Sequence, residues 1–146
     1  MAREAIRQSL KGKRIAVLGL SFKPDTDDMR NAISVPLIQG VLRNGAMVVA
    51  YDPAALGNAR TIFKDKIEYA ESSTDCLTGA DCCIIVTEWE EFKNLPPRAF
   101  LEKMKHPIVV DGRRIYNPDE MIHAGIMYSA IGLGKTQARR TAAKNH

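Results

Sequence analysis

The chain has 146 residues, 45% of them hydrophobic, and a formal net charge of +4. That length suits one domain burying roughly 68–70% of its extended-chain surface. No stretch approaches the ~20 apolar residues of a membrane span, and the polar start of the chain does not read as a signal peptide, so a cytoplasmic protein without a membrane partner is expected. Three cysteines, Cys76, Cys82 and Cys83, are an odd number without zinc-ligand spacing. Buried free thiols in a reducing compartment are expected, with no disulfide and no metal site. Several of the basic residues, Arg139, Arg140 and Lys144, fall in a polar tail without aromatic neighbours, which argues against a nucleic-acid partner.

In chain order, residues 3–10 read as the end of a helix stopped by Gly12, and 14–18 as a buried strand. A long loop follows, and then a helix opening at Ser34 as its N-cap, with Pro36 in the first turn. Val35, Ile38, Val41 and Leu42 share one face of that helix, which closes at Asn44-Gly45. Residues 46–51 form the second strand, ended by Asp52-Pro53. A weaker helix spans 54–63 and a short strand 67–69, and Ser73 or Thr74 caps a brief helix.

Residues 82–87 are a continuous apolar run, as expected of a strand covered on both faces. After Trp89 come a helix over 97–104, a strand over 107–110, a helix over 118–124 and a last strand over 126–131. Alternating β and α units at this spacing predict an α/β fold: a doubly wound, mostly parallel Rossmann-like sheet with helices on both faces, in one domain. No internal repeat interrupts it.

Open sheets of this class place ligands at the carboxyl ends of their strands. After the first strand stands Gly19-Leu20-Ser21-Phe22-Lys23-Pro24-Asp25-Thr26-Asp27-Asp28-Met29-Arg30. The glycine fingerprint GxGxxG is absent, so ordinary dinucleotide binding is not expected here. Lys23 offers an ammonium to a phosphate and Phe22 an apolar face to a base or sugar, while Asp27, Asp28 and Arg30 either order the loop as surface ion pairs or hold a second ligand.

Thr87-Glu88-Trp89 ends another strand. There Trp89 reads first as a packing anchor, with Thr87 and Glu88 lining the ligand edge. Asp111-Gly112-Arg113-Arg114 ends a third, where Gly112 permits a close approach or an unusual φ and guanidinium forks suit phosphate or carboxylate. In Tyr51-Asp52-Pro53, Asp52 reads as the cap of its own turn rather than as a ribose acceptor. Neither His106 nor His123 has a nucleophile at recognisable spacing, and no catalytic residue is assigned. The residues alone describe an anion- and nucleotide-binding domain without a catalytic engine.

Together these four blocks, in this order and covering about residues 12–134, resemble the C-terminal UDP-binding domain of the UDP-glucose/GDP-mannose dehydrogenase family. The resemblance implies an enzyme that uses NAD to oxidise the 6-hydroxyl of a nucleotide sugar to a carboxylate through a cysteine-linked thiohemiacetal. It also implies an N-terminal NAD-binding domain and a central domain carrying the catalytic cysteine, both lying outside this chain, and a homo-oligomer for the full-length enzyme. On that pattern Phe22, Lys23 and Arg113 contact the UDP-sugar, and Arg30 reaches NAD, which the absent N-terminal domain mainly binds.

Residues 1–11 then correspond to the end of a connecting helix, 12–134 to the nucleotide-sugar-binding domain and 135–146 to a polar, disordered tail. The isolated chain is expected to be inactive. The form of the loop leans towards UDP-glucose over UDP-N-acetylmannosamine or GDP-mannose, and a stand-alone nucleotide-binding or regulatory module is the alternative.

Overall fold

A computed structural model describes residues 10–132; the expected connecting helix, apart from Leu10 and Lys11, and the expected tail lie outside them. Six strands form one all-parallel sheet: β1 (Arg14–Leu18), β2 (Met47–Tyr51), β3 (Glu68–Tyr69), β4 (Cys82–Ile85), β5 (Ile108–Asp111) and β6 (Met127–Ala130). Their spatial order is β3-β2-β1-β4-β5-β6. The chain therefore winds outward from β1 to β3, returns, and winds the other way from β4. The crossovers diverge between β1 and β4, which is where such sheets open a crevice.

Six helices cover both faces: α1 (Ser34–Arg43), α2 (Leu56–Phe63), α3 (Ser73–Leu77), α4 (Glu90–Lys93), α5 (Pro97–Lys103) and α6 (Pro118–His123). The strand alternation sorts the core. Ile15 and Val17 join Val48, Ala50 and Cys82 beneath Ile38 and Val41 of α1 and Ala59 and Phe63 of α2. Ala16 and Leu18 face the other way, with Val49, Cys83 and Ile85, onto Leu77 of α3, Phe92 of α4, Phe100 of α5 and Met121 of α6. Both sides of β1 and β4 are thus dry, which is why those strands read as unbroken apolar runs. All three cysteines are buried and free. Among the described residues no helix is long and apolar enough to cross a membrane, and no group of three or more His, Cys, Asp or Glu side chains is placed to hold a metal ion.

Several local expectations need correction. Ser34 is the first helical residue of α1 and not its cap; the cap position is Ile33, and it makes no side-chain cap bond. The Ser34 hydroxyl is spent elsewhere, donating to the Leu20 carbonyl at 2.7 Å. The cap of α3 is Ser72, which accepts from the Asp75 N–H at 3.1 Å, one residue ahead of Ser73 and two ahead of Thr74. β4 ends at Ile85, two residues earlier than the apolar run, because Thr87 turns away to bond the β1 loop. In the turn after β5 the positive φ belongs to Arg114, at 56°, and not to Gly112.

Candidate functional site

Everything at the carboxyl edge begins with the β1 turn. Gly19 has φ 102°, and a Cβ there would lie 2.5 Å from the Thr87 nitrogen. Only glycine lets the β1 and β4 loops touch, on both conformational and steric grounds. Beyond it the main chain is held at several points. The Leu20 and Ser21 N–H groups donate to Asp52 Oδ2 at 2.7 and 3.0 Å. The Thr87 hydroxyl donates to the Ser21 carbonyl at 2.9 Å, and the Phe22 N–H to the Asp28 carbonyl at 2.7 Å. Ser21 Oγ lies 2.9 Å from the Lys23 carbonyl oxygen. On this braced backbone the Phe22 side chain is 48% exposed, and Lys23 projects into solvent with no ion-pair partner among the described residues.

Arg113 stands on the other side of the same edge. Its Nε donates to the Val86 carbonyl at 2.7 Å and lies 3.6 Å from Glu88 Oε1. Its two Nη groups have no protein partner among the described residues. The turn that presents it is wound around Asp111, fully buried, which accepts from the N–H groups of Arg113, Ile115 and Tyr116 and from the Tyr128 hydroxyl. Burial, and then the Asp111 hydrogen bond, push the Tyr128 phenol up, so it stays a donor. The Phe22–Lys23 loop is therefore tied to Thr87 and Arg113 to Val86, adjacent residues at the end of β4. The structure hangs an aromatic face, an ammonium and a guanidinium on one two-residue bracket.

Arg30 is placed differently. It forks onto Asp28, with Nη2–Oδ2 at 2.9 Å and Nε–Oδ1 at 3.1 Å, while its side chain is 88% exposed. The guanidinium bond, and the Arg30 N–H behind it, hold the Asp28 carboxyl below the ordinary aspartate range. This pair borders an open groove of about 700 Å³ between the loop and α2, lined by Asp27, Asn58 and Ile62 among others. Asn58 closes the loop against α2 by donating to the Asp27 carbonyl at 2.7 Å.

Asp52 does more than cap its own turn. Oδ1 does accept from the Ala54 and Ala55 N–H groups at 2.8 and 2.9 Å, but Oδ2 takes Leu20, Ser21 and the Trp89 indole N–H, the last at 3.2 Å. In dinucleotide folds the acid at this strand end receives a ribose. Here it is 1% exposed, and five N–H donors of the chain itself fill its lone pairs. With the glycine fingerprint also missing, these residues do not form a dinucleotide site; Arg30 faces outward on the flank of the loop, already paired with Asp28. Trp89 is the expected anchor, with its indole hydrogen-bonded to this carboxylate. The bracing roles of Ser34 and Thr87 are legible only with the fold in hand, since their partners lie 14 and 66 residues away.

Comparison with known proteins bears on all of this. Residues 16–118 match the UDP-glucose/GDP-mannose dehydrogenase family, UDP binding domain. The chain is 50% identical over 125 residues to the UDP-glucose 6-dehydrogenase AglM of Haloferax volcanii, covering 86% of this chain and 27% of that protein. It is 40% identical over 121 residues to YwqF, a UDP-glucose 6-dehydrogenase of Bacillus subtilis, covering 83% and 28%. A UDP-glucose dehydrogenase structure from Pyrobaculum islandicum superposes with a TM-score of 0.70 at 28% identity, over 90% of this chain and 28% of that one. The chain spans little more than a quarter of these relatives' length. It belongs to the UDP-glucose/GDP-mannose dehydrogenase family, and corresponds to that family's C-terminal UDP-binding domain.

Proposed function

We propose that this chain supplies the nucleotide half-site of an NAD-dependent UDP-glucose 6-dehydrogenase, which oxidises UDP-glucose to UDP-glucuronate when the NAD-binding and catalytic domains are joined to it. The supporting observation is the shared bracket at Val86–Thr87, from which Phe22, Lys23 and Arg113 all reach the carboxyl edge. Phe22 offers its face to the uracil or ribose, and Lys23 and the Arg113 Nη groups meet the diphosphate, for which an ammonium and a guanidinium fork are suited. Arg30 on the outer flank of the loop faces NAD carried mainly by the preceding domain. The high identity to two UDP-glucose 6-dehydrogenases favours UDP-glucose.

A second sugar remains in play on one observation. The UDP-D-ManNAc dehydrogenase of Pyrococcus horikoshii superposes equally well, with a TM-score of 0.70 at 27% identity. None of Cys76, Cys82 and Cys83 suits the role of the reaction's nucleophile, all three being buried. Burial pushes the Cys76 and Cys82 thiols up to about 12, and Cys83 well above its ordinary value, so none offers a thiolate near neutral pH. Oligomer contacts and the catalytic cysteine belong, on this reading, to the domains outside the chain.

The test is an NMR titration of the 146-residue chain with UDP, and with GDP as control. Shifts confined to the amides around Phe22, Lys23 and Arg113 with UDP are expected. Equal response to both nucleotides, or shifts elsewhere only, would sink the assignment.

A further inference from the structure

We infer that Asp52 is the positioning residue of the nucleotide site, acting through the Phe22–Lys23 backbone without touching the ligand; the inference rests on the reading that Lys23 binds the nucleotide. The argument is geometric. Phe22 and Lys23 have exposed side chains, yet the peptide units on either side of the pair are held, through the Ser21 carbonyl and Phe22 N–H before it and the Lys23 carbonyl after it. A buried carboxylate holds the Leu20 and Ser21 N–H groups through one oxygen. The same oxygen holds the Trp89 indole, from the far side of the crevice, and lies 3.2 Å from Ser21 Oγ. The Ser21 hydroxyl has one proton to give and the Lys23 carbonyl is the nearer acceptor, at 2.9 Å, so Asp52 acts on that contact through its hold on the Ser21 N–H. One acid thus sets where the β1 loop leaves the sheet, how it sits against the β4 loop, and where Ser21 stands, whose hydroxyl holds the carbonyl of the residue that offers the ammonium.

Such bracing lowers the ordering cost of binding, because the contact groups are already aimed. It also gives the acid at the end of β2 a role although that acid is sealed from any ribose. Its second oxygen, on Ala54 and Ala55, anchors the acid to the start of the α2 segment, so the pedestal is tied to the body of the fold.

Asp52→Asn is the isosteric test. An amide has one acceptor oxygen and an NH₂ that cannot accept, so one of the two donor groups loses its acceptor whichever way the side chain turns. UDP affinity of the 146-residue chain, followed by NMR, is expected to fall about tenfold, equivalent to about 1.4 kcal/mol. A double-mutant cycle separates positioning from general destabilisation. In a Lys23→Ala background the Asp52→Asn loss should shrink to about threefold or less. In an Arg113→Ala background it should persist in full, because Arg113 is held by Val86 and Asp111 instead.

The same loss in both backgrounds, or a folded Asp52→Asn chain with undiminished affinity, overturns the inference. Should Asp52→Asn fail to fold, Ser21→Ala carries the same cycle with an expected loss of about threefold. If Lys23→Ala itself leaves UDP binding unchanged, the nucleotide reading and this inference fall together, a result distinct from loss of the coupling alone.

Discussion

At the scale of single residues, the site divides into groups offered to a ligand and groups consumed in holding them. Lys23 and Arg113 are of the first kind. A charge-assisted contact to phosphate contributes roughly 1.5–3 kcal/mol, so Lys23→Ala and Arg113→Ala are each expected to weaken UDP binding by about tenfold to a hundredfold in a titration. Arg113→Lys is expected to recover little, since Nε must also reach the Val86 carbonyl and a lysine has no second arm for the ligand. Full recovery by lysine would show that charge alone matters. These proposed contact residues can be picked out in the sequence because a lysine or arginine just after an apolar strand stands out. Asp52 is not: its neighbours in the chain suggest only an Asp-Pro turn, and the donors that define it come from residues 20, 21 and 89.

At the scale of elements, apolar runs make the strands legible, and the Asn44-Gly45 end of α1 is equally plain: Gly45 has φ 87° and its N–H donates to the Leu42 carbonyl at 3.0 Å, as left-handed helix ends do. What escapes the sequence is competition for hydroxyls. Ser34 looks like a cap until the fold brings Leu20 beside it, 14 residues earlier. The contact between the β1 and β4 loops is hidden for the same reason, and it depends on one glycine. Gly19→Ala forces a methyl against the Thr87 backbone at a φ that L-residues avoid. A loss of at least about 1–3 kcal/mol is expected from the φ alone, read as a lowered denaturation midpoint, together with loss of UDP binding as the loops part. A Gly19→Ala chain of unchanged stability would show that the loops have room to separate.

At the scale of the whole molecule, the pattern of burial sets how the fold responds to alkali. Cys76 and Cys82 keep their protons up to about 12 because burial disfavours the thiolate, against an ordinary value of 9.0, and Cys83 shifts the same way. Tyr51, raised first by burial and then by Glu91, moves from 10.0 to about 12. In each case the folded state binds the proton more tightly than the unfolded chain. The associated stability is therefore complete below about pH 9 and is lost as pH rises towards 12. Above about pH 9 each buried thiol draws further on a marginal stability of typically about 5–15 kcal/mol, and the three act in the same direction. The chain's pI is about 9.1, so net repulsion is smallest where this loss begins and does not explain its onset. Thermal melts between pH 7 and 11 are expected to stay level to about pH 9 and then fall steeply. Cys76→Ala should flatten the descent, because the deleted thiol no longer titrates on unfolding, even though its cavity lowers the plateau. A descent just as steep in that variant would show that the thiols do not govern alkaline unfolding.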